Sequence, residues 1–180
     1  QEEGYFLPVN EIIRRAKEAW DYGATEVCIQ AGLPPQMEGD LYIKLCQAIK
    51  EELPDIHIHG FSPEEIFFFA QLYNLSLPDL LKKFRSAGLD SIPGAGGEIL
   101  VDRVRDIIAP KKCTTDQWLD VMRHAHAIGM CSTATMMFGH VETDAERIEH
   151  LIRVRQLQDE SLAARETNPD HGFFTAFICW

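Results

Sequence analysis

The stretch "CSTATMMFGHVET", Cys131 to Thr143, decides the fold class. Ser132 to Phe138 reads as a buried strand, short and rich in apolar and β-branched residues. It ends at Gly139, followed by His140 and Glu142, and a helix opens at once: Thr143 with Glu146 three residues on is a capping box. A strand that runs through a polar loop directly into a helix is the repeating unit of a parallel α/β fold. In such folds ligands gather beyond the carboxyl ends of the strands. Gly139 permits close approach of backbone or ligand, and His140 and Glu142 stand where a substrate would lie.

The same unit recurs on both sides of this stretch. Toward the N-terminus, Asn10–Tyr22 carries a helical stripe of Ile12, Ile13, Ala16, Ala19 and Trp20, closed by Gly23. Thr25–Gln30 follows as a strand, Asp40–Leu53 as a helix and Ile56–Phe61 as a strand. Ser62, Pro63 and Glu65 form a capping box with proline in the first turn. That helical region breaks near Asn74, restarts with Ser76 as cap and closes at Gly88. "LDSIPGAGG" gives a short strand and a glycine loop, Glu98–Ile108 a helix, and Thr114 with Gln117 caps another, which runs to about His126 and stops at Gly129. Beyond the opening stretch, a helix to about Leu162 and a polar loop lead to the strand "FFTAFICW".

Five strands, each reached through a helix, imply a parallel sheet with right-handed crossovers. An open flavodoxin-like sheet and a (β/α) TIM-type barrel both fit the order. No Gly-x-Gly-x-x-Gly follows the first strand, which weakens a dinucleotide-binding reading. The strand spacing suits a barrel, and a closed one needs about 250 residues. Residues 1–180 are therefore expected to be an internal part of one barrel domain, about five parallel strands with outer helices.

The bulk properties narrow the function classes. The chain has 180 residues, 46% of them hydrophobic and 25% charged, with a net charge of −11. No apolar run approaches the roughly 20 residues of a membrane span. No Lys/Arg stripe suggests nucleic acid as a partner, and the first residues show no signal peptide. The five cysteines are odd in number and widely spaced, with no Cys-x-x-Cys pair, which points to reduced, cytoplasmic surroundings without disulfides or a zinc knuckle. Cys28, Cys131 and Cys179 lie in strand-like runs and read as buried thiols.

The strand ends hold the candidate site: Gln30 with Ala31 and Gly32, then His57, His59 and Ser62, then the glycine loop with Glu98, then His140 and Glu142. His57 and His59 share a strand face. They are either hydrogen-bonded interior groups or a His-x-His metal pair of a barrel lyase or hydrolase. Glu98 is either a charge placed at a helix start or a ligand contact. Glycines 94, 96 and 97 are either a tight turn or a cradle of free N–H groups. A non-catalytic βα scaffold is the blandest alternative.

Together, "EVCIQAGLPP", "LPDIHIHGFSPEEI", "AGLDSIPGAGGEIL", "PKKCTTDQW", "TATMMFGHVET" and "GFFTAFICW" resemble radical S-adenosylmethionine enzymes, block by block in family order. The similar branch makes menaquinone precursors by the futalosine route or the deazaflavin chromophore. "SIPGAGGEIL", "PKKCTT" and the end of the last strand favour cyclisation of dehypoxanthine futalosine. "EVCIQAGLPP" leans toward joining a tyrosine-derived 4-hydroxybenzyl radical to 5-amino-6-ribitylaminouracil. The resemblance implies S-adenosylmethionine, a [4Fe-4S] cluster, an external electron donor and a nucleoside-like small-molecule substrate. By the same resemblance, Gln30, Ala31, Gly32, Ser62 and Glu98 bind cofactor, and His59, His140 and Glu142 face the chemistry. The family's Cys-x₃-Cys-x₂-Cys, expected shortly before the Glu2–Tyr5 block, is not reproduced by any of the five cysteines. No metal ligand is therefore assigned, and this stretch by itself is expected to be inactive.

Overall fold

The computed structural model describes residues 7–33 and 40–180, and the Glu2–Tyr5 block lies outside them. The order is α1 (Val9–Asp21), β1 (Glu26–Ile29), α2 (Leu41–Glu52), β2 (His57–Gly60), α3 (Pro63–Leu72), α4 (Leu77–Ser86), β3 (Ser91–Ile92), α5 (Asp102–Ile108), α6 (Thr115–Ala127), β4 (Cys131–Met136), α7 (Asp144–Arg165) and β5 (Phe174–Cys179). All four strand pairings are parallel, and the spatial order is β1-β2-β3-β4-β5.

That order separates the two sheet types the sequence left open. A doubly wound sheet reverses direction once, which places helices on both faces. Here each strand is added on the same side of the last, so right-handed crossovers put the helices on one face. The result is an arc of a TIM-type barrel. Its convex face carries the core: Ile58, Ile92 and Ala134 of the sheet pack with Leu45 and Ile49 of α2, Ile66 and Phe69 of α3, Leu80, Leu81 and Phe84 of α4, and Trp118, Val121 and Met122 of α6. Phe61, at φ 60°, turns the chain off β2 and drops its ring among Tyr42, Phe69 and Phe84, 5.0 Å from the last. Burying such a ring contributes about 1.5–3 kcal/mol. The alternate residues Cys28, His57, His59, Ser91, Cys131, Thr133 and Thr135 fall on the other, inner face.

The three capping boxes are present with both hydrogen bonds, and Ser76 caps α4 after Asn74 breaks the path at φ 52°. Three expectations change. The helix placed at Glu98–Ile108 begins only at Asp102, because Glu98 sits in the left-handed region at φ 41° and its carbonyl accepts the Met137 N–H at 2.9 Å. The helix ending near Leu162 continues to Arg165 and absorbs the front of the polar loop. The strand cysteines are not buried: Cys28 and Cys179 are exposed and Cys131 is half-buried, whereas Cys46 and Cys113 are buried. Cys28 and Cys131 lie on the inner face, which no helix covers among the described residues.

Candidate functional site at the carboxyl rim

The loops beyond β1, β2, β3 and β4 are fixed mainly by side chains that bind backbone. Glu65, in the first turn of α3 and 4% exposed, is the hub. Its carboxylate accepts the N–H groups of Ala31 and Gly32, the latter at 2.7 Å, and also the Ser62 N–H at 2.7 Å and hydroxyl at 2.8 Å. The turn Gln30-Ala31-Gly32 and Ser62, far apart in sequence, are thus joined through one carboxylate. On its outer side a Cβ on Gly32 would meet nothing within 4 Å among the described residues.

The loop after β3 is pressed against β4. Gly94 donates to the Thr133 hydroxyl at 2.9 Å, and the Thr135 hydroxyl donates to the Gly94 carbonyl at 2.6 Å. A Cβ on Gly94 would lie 2.6 Å from the Ala134 Cα, so only glycine fits. Arg105, 2% exposed, donates to the carbonyls of Gly96 at 3.0 Å, Gly97 at 2.7 Å and Cys113 at 2.9 Å. This planar fork ties the glycine loop to the segment before α6, in a way a lysine could not. Glu64 holds the same segment by accepting the Cys113 N–H at 2.6 Å. Glu98, half-buried, pairs with Lys112.

After β4, the Glu142 carboxylate accepts from the N–H groups of Gly139 and His140, the latter at 2.9 Å, and from Arg147 Nε at 2.9 Å. The Gly139 N–H leads these in pulling its pKa down to about 2. Glu142 therefore shapes its own loop, while the His140 ring is exposed. On the inner face, His57 Nε2 and His59 Nδ1 each lie 2.6 Å from the Ser91 hydroxyl oxygen. Burial lowers the His59 pKa.

The structure thus links Gln30, Ala31, Gly32 and Ser62, ties Glu98 to the end of β4, and sets His59 on the inner face with His57. Ser62 is itself occupied as a helix cap, its hydroxyl shared with Glu65. Sequence reading missed Glu65, Arg105 and Ser91. Glu65 was visible as a capping residue, but its second role depends on a turn 33 residues away. Nothing local marks Arg105, and Ser91 becomes notable only once β3 lies beside β2.

A singly wound parallel sheet with its helices outside and its long loops on the carboxyl rim defines a domain of the β/α-barrel class. The chain belongs to the radical SAM superfamily, whose family profile matches residues 1–154. It is 44% identical over 167 residues to "5-amino-6-(D-ribitylamino)uracil–L-tyrosine 4-hydroxyphenyl transferase 1" of Methanosarcina barkeri, covering 93% of this chain and 44% of that protein. It is 46% identical over 159 residues to the transferase of the same description in Methanococcoides burtonii, covering 88% and 45%. With that of Methanothermobacter thermautotrophicus it shares 40% over 176 residues, covering 98% and 45%. The chain spans less than half the length of these relatives. Among solved structures, the cobalamin-dependent S-adenosylmethionine radical enzyme OxsB aligns over 92% of this chain and 27% of its own, at 13% identity and a TM-score of 0.49, too distant a likeness to argue from.

The description these relatives carry favours the aminouracil–tyrosine alternative over the futalosine expectation. The physical reason lies in the residues that suggested it. Gly94 of "SIPGAGG" is demanded by contact with β4, and Cys113 of "PKKC" supplies a carbonyl to Arg105. Both report packing rather than substrate. Membership of the superfamily implies S-adenosylmethionine and a [4Fe-4S] cluster. Among the described residues no group of three or more His, Cys, Asp or Glu is placed to hold a metal ion.

Proposed function

We propose that this chain forms the central part of the barrel of a radical enzyme that joins a tyrosine-derived 4-hydroxyphenyl group to 5-amino-6-(D-ribitylamino)uracil. The observation that carries this is the 44% identity to the Methanosarcina barkeri transferase across 93% of the chain. When bound, S-adenosylmethionine supplies a 5′-deoxyadenosyl radical on receiving an electron from an external donor. The chain's own residues bind and orient. The turn at Gln30, Ala31 and Gly32, held in shape by Glu65, receives the cofactor together with Ser62 and Glu98. His59 and the exposed His140 face the substrates, and Glu142 fixes the loop that presents His140. These assignments are supported by position on one rim.

The test is anaerobic reconstitution of the full-length, iron–sulfur-loaded enzyme, offered tyrosine with 5-amino-6-(D-ribitylamino)uracil and, separately, dehypoxanthine futalosine. Coupled product from the first pair alone is expected. Turnover of the futalosine alone would overturn the reading.

A further inference from the structure

Ser91 stands between two imidazoles of the neighbouring strand. Its hydroxyl oxygen lies 2.6 Å from His57 Nε2 and 2.6 Å from His59 Nδ1, and His57 Nε2 lies 3.7 Å from a Glu26 carboxylate oxygen. From the geometry we propose that His59, Ser91 and His57 form a proton relay along the inner face of the sheet, leading from the rim toward Glu26. The relay rests on the reading above, in which a small-molecule substrate sits at that rim.

A hydroxyl carries one proton. It donates to one imidazole while it accepts from the other, so the two rings are coupled. In the resting state His59 Nδ1–H donates to Ser91, and Ser91 O–H donates to His57 Nε2. A substrate N–H or O–H then gives its proton to His59 Nε2, and its bonding pair stays on the substrate. The Nδ1 proton of His59 passes to Ser91 as the Ser91 proton passes to His57. One proton has moved from substrate to His57, and no electron has been transferred.

The surroundings give the relay a direction. Burial favours neutral His59, and the Glu26 carboxylate lies at the far end of the chain of bonds, 3.7 Å from His57 Nε2. Ser91 is buried, so water does not compete for its hydroxyl. Within this chain the His57 and Glu26 side chains are 44% and 53% exposed. Cys28, the register partner of His59, is exposed as a residue but its thiol is partly desolvated, and that desolvation and then Glu26 raise its pKa and keep it protonated. Cys131 is the register partner of Ser91. Thiols are weak donors and acceptors and do not divert the chain of bonds.

Two measurements test this. In long-range proton–nitrogen spectra of the histidine-labelled protein, the relay requires the two rings in matching tautomers, both Nδ1–H at rest, with the match lost in Ser91→Ala. In the full-length reconstituted enzyme, Ser91→Ala is expected to lower coupling of tyrosine to the aminouracil about 10²-fold, the usual scale of proton-transfer catalysis. It should also abolish a multi-proton solvent isotope effect on kcat, and Ser91→Thr should restore both. Cleavage of S-adenosylmethionine should be unchanged. Differing tautomers in the wild type, or a Ser91→Ala enzyme with wild-type kcat and isotope effect, overturns the relay. If the wild type couples neither substrate, the functional reading fails, and the spectra still decide the relay.

Discussion

A carboxylate oxygen of Glu65 lies 2.7 Å from the backbone nitrogen of Gly32, and the two residues belong to different βα units. The same carboxylate caps its own helix through Ser62. One side chain therefore sets both the shape of the first rim turn and its position relative to the second.

Glu65→Ala is expected to leave the N–H groups of Ala31 and Gly32 without their acceptor. Ala31 is half-buried and Gly32 exposed, so each lost bond is worth about 0.5–1.5 kcal/mol rather than a full burial penalty. Urea unfolding should show a loss of that order, and S-adenosylmethionine affinity of the full-length enzyme should fall with it. Glu65→Gln, which keeps one acceptor oxygen and adds donors facing donors, should fall between.

Gly94→Ala is expected to destabilise by about 1–3 kcal/mol, the scale of forced overpacking. The new Cβ would meet backbone, the Ala134 Cα and the Thr133 carbonyl oxygen, both at 2.6 Å, and backbone cannot rotate away. Thermal unfolding checks this. Gly139→Ala makes a control, because no atom lies within 4 Å of its Cβ position and only its φ of 99° resists the change.

The loop at Gly139–Glu142 should resist acid. Its carboxylate pKa is lowered to about 2, chiefly by the Gly139 N–H and further by His140 and Arg147. A depressed carboxylate stabilises the fold fully above its unfolded pKa, near 4.5, and loses that contribution as pH falls toward 2. Carbon-13 titration of Glu142 should show a midpoint near the lower value. Glu142→Gln should remove this acid-dependent part of stability and loosen the loop at neutral pH.

His126 sets a second pH dependence with the opposite chemistry. It is fully buried between the hydroxyls of Ser161, 2.8 Å away, and Ser132, 2.6 Å away. Burial first, and His171 second, lower its pKa to about 3. Between pH 6.5 and about 3 the unfolded chain takes up a proton that the folded chain refuses. Stability is therefore whole above pH 6.5 and falls as the pH drops through that window, by at most about 1.4 kcal/mol per unit. Unfolding in urea at pH 7, 6 and 5 measures the slope, and His126→Gln should flatten it.

Much of the fold was legible because its signals are local. The capping residues Ser62, Thr114 and Thr143 and the apolar runs of β2 and β4 act within a few residues of themselves. What escaped depends on partners brought close only by the fold. The start of α5 could not be placed, because Glu98 leaves the helical path through a bond to Met137, just past the end of β4. Glu142 was read as facing a ligand, whereas Gly139, His140 and Arg147 draw its carboxylate back into the loop. The glycine of "SIPGAGG" carried no substrate information for a similar reason, since Gly94 answers to a neighbouring strand.

Glu64, Glu65, Glu142 and Arg105 all grip main-chain atoms of the rim loops, and this has a thermodynamic consequence. Loops held in this manner arrive at a ligand already in their bound shape, so little conformational entropy remains to be lost on association. Calorimetry of cofactor binding should accordingly register a small ordering penalty, and amide hydrogens at Gly32 and His140 should exchange slowly with or without the guest.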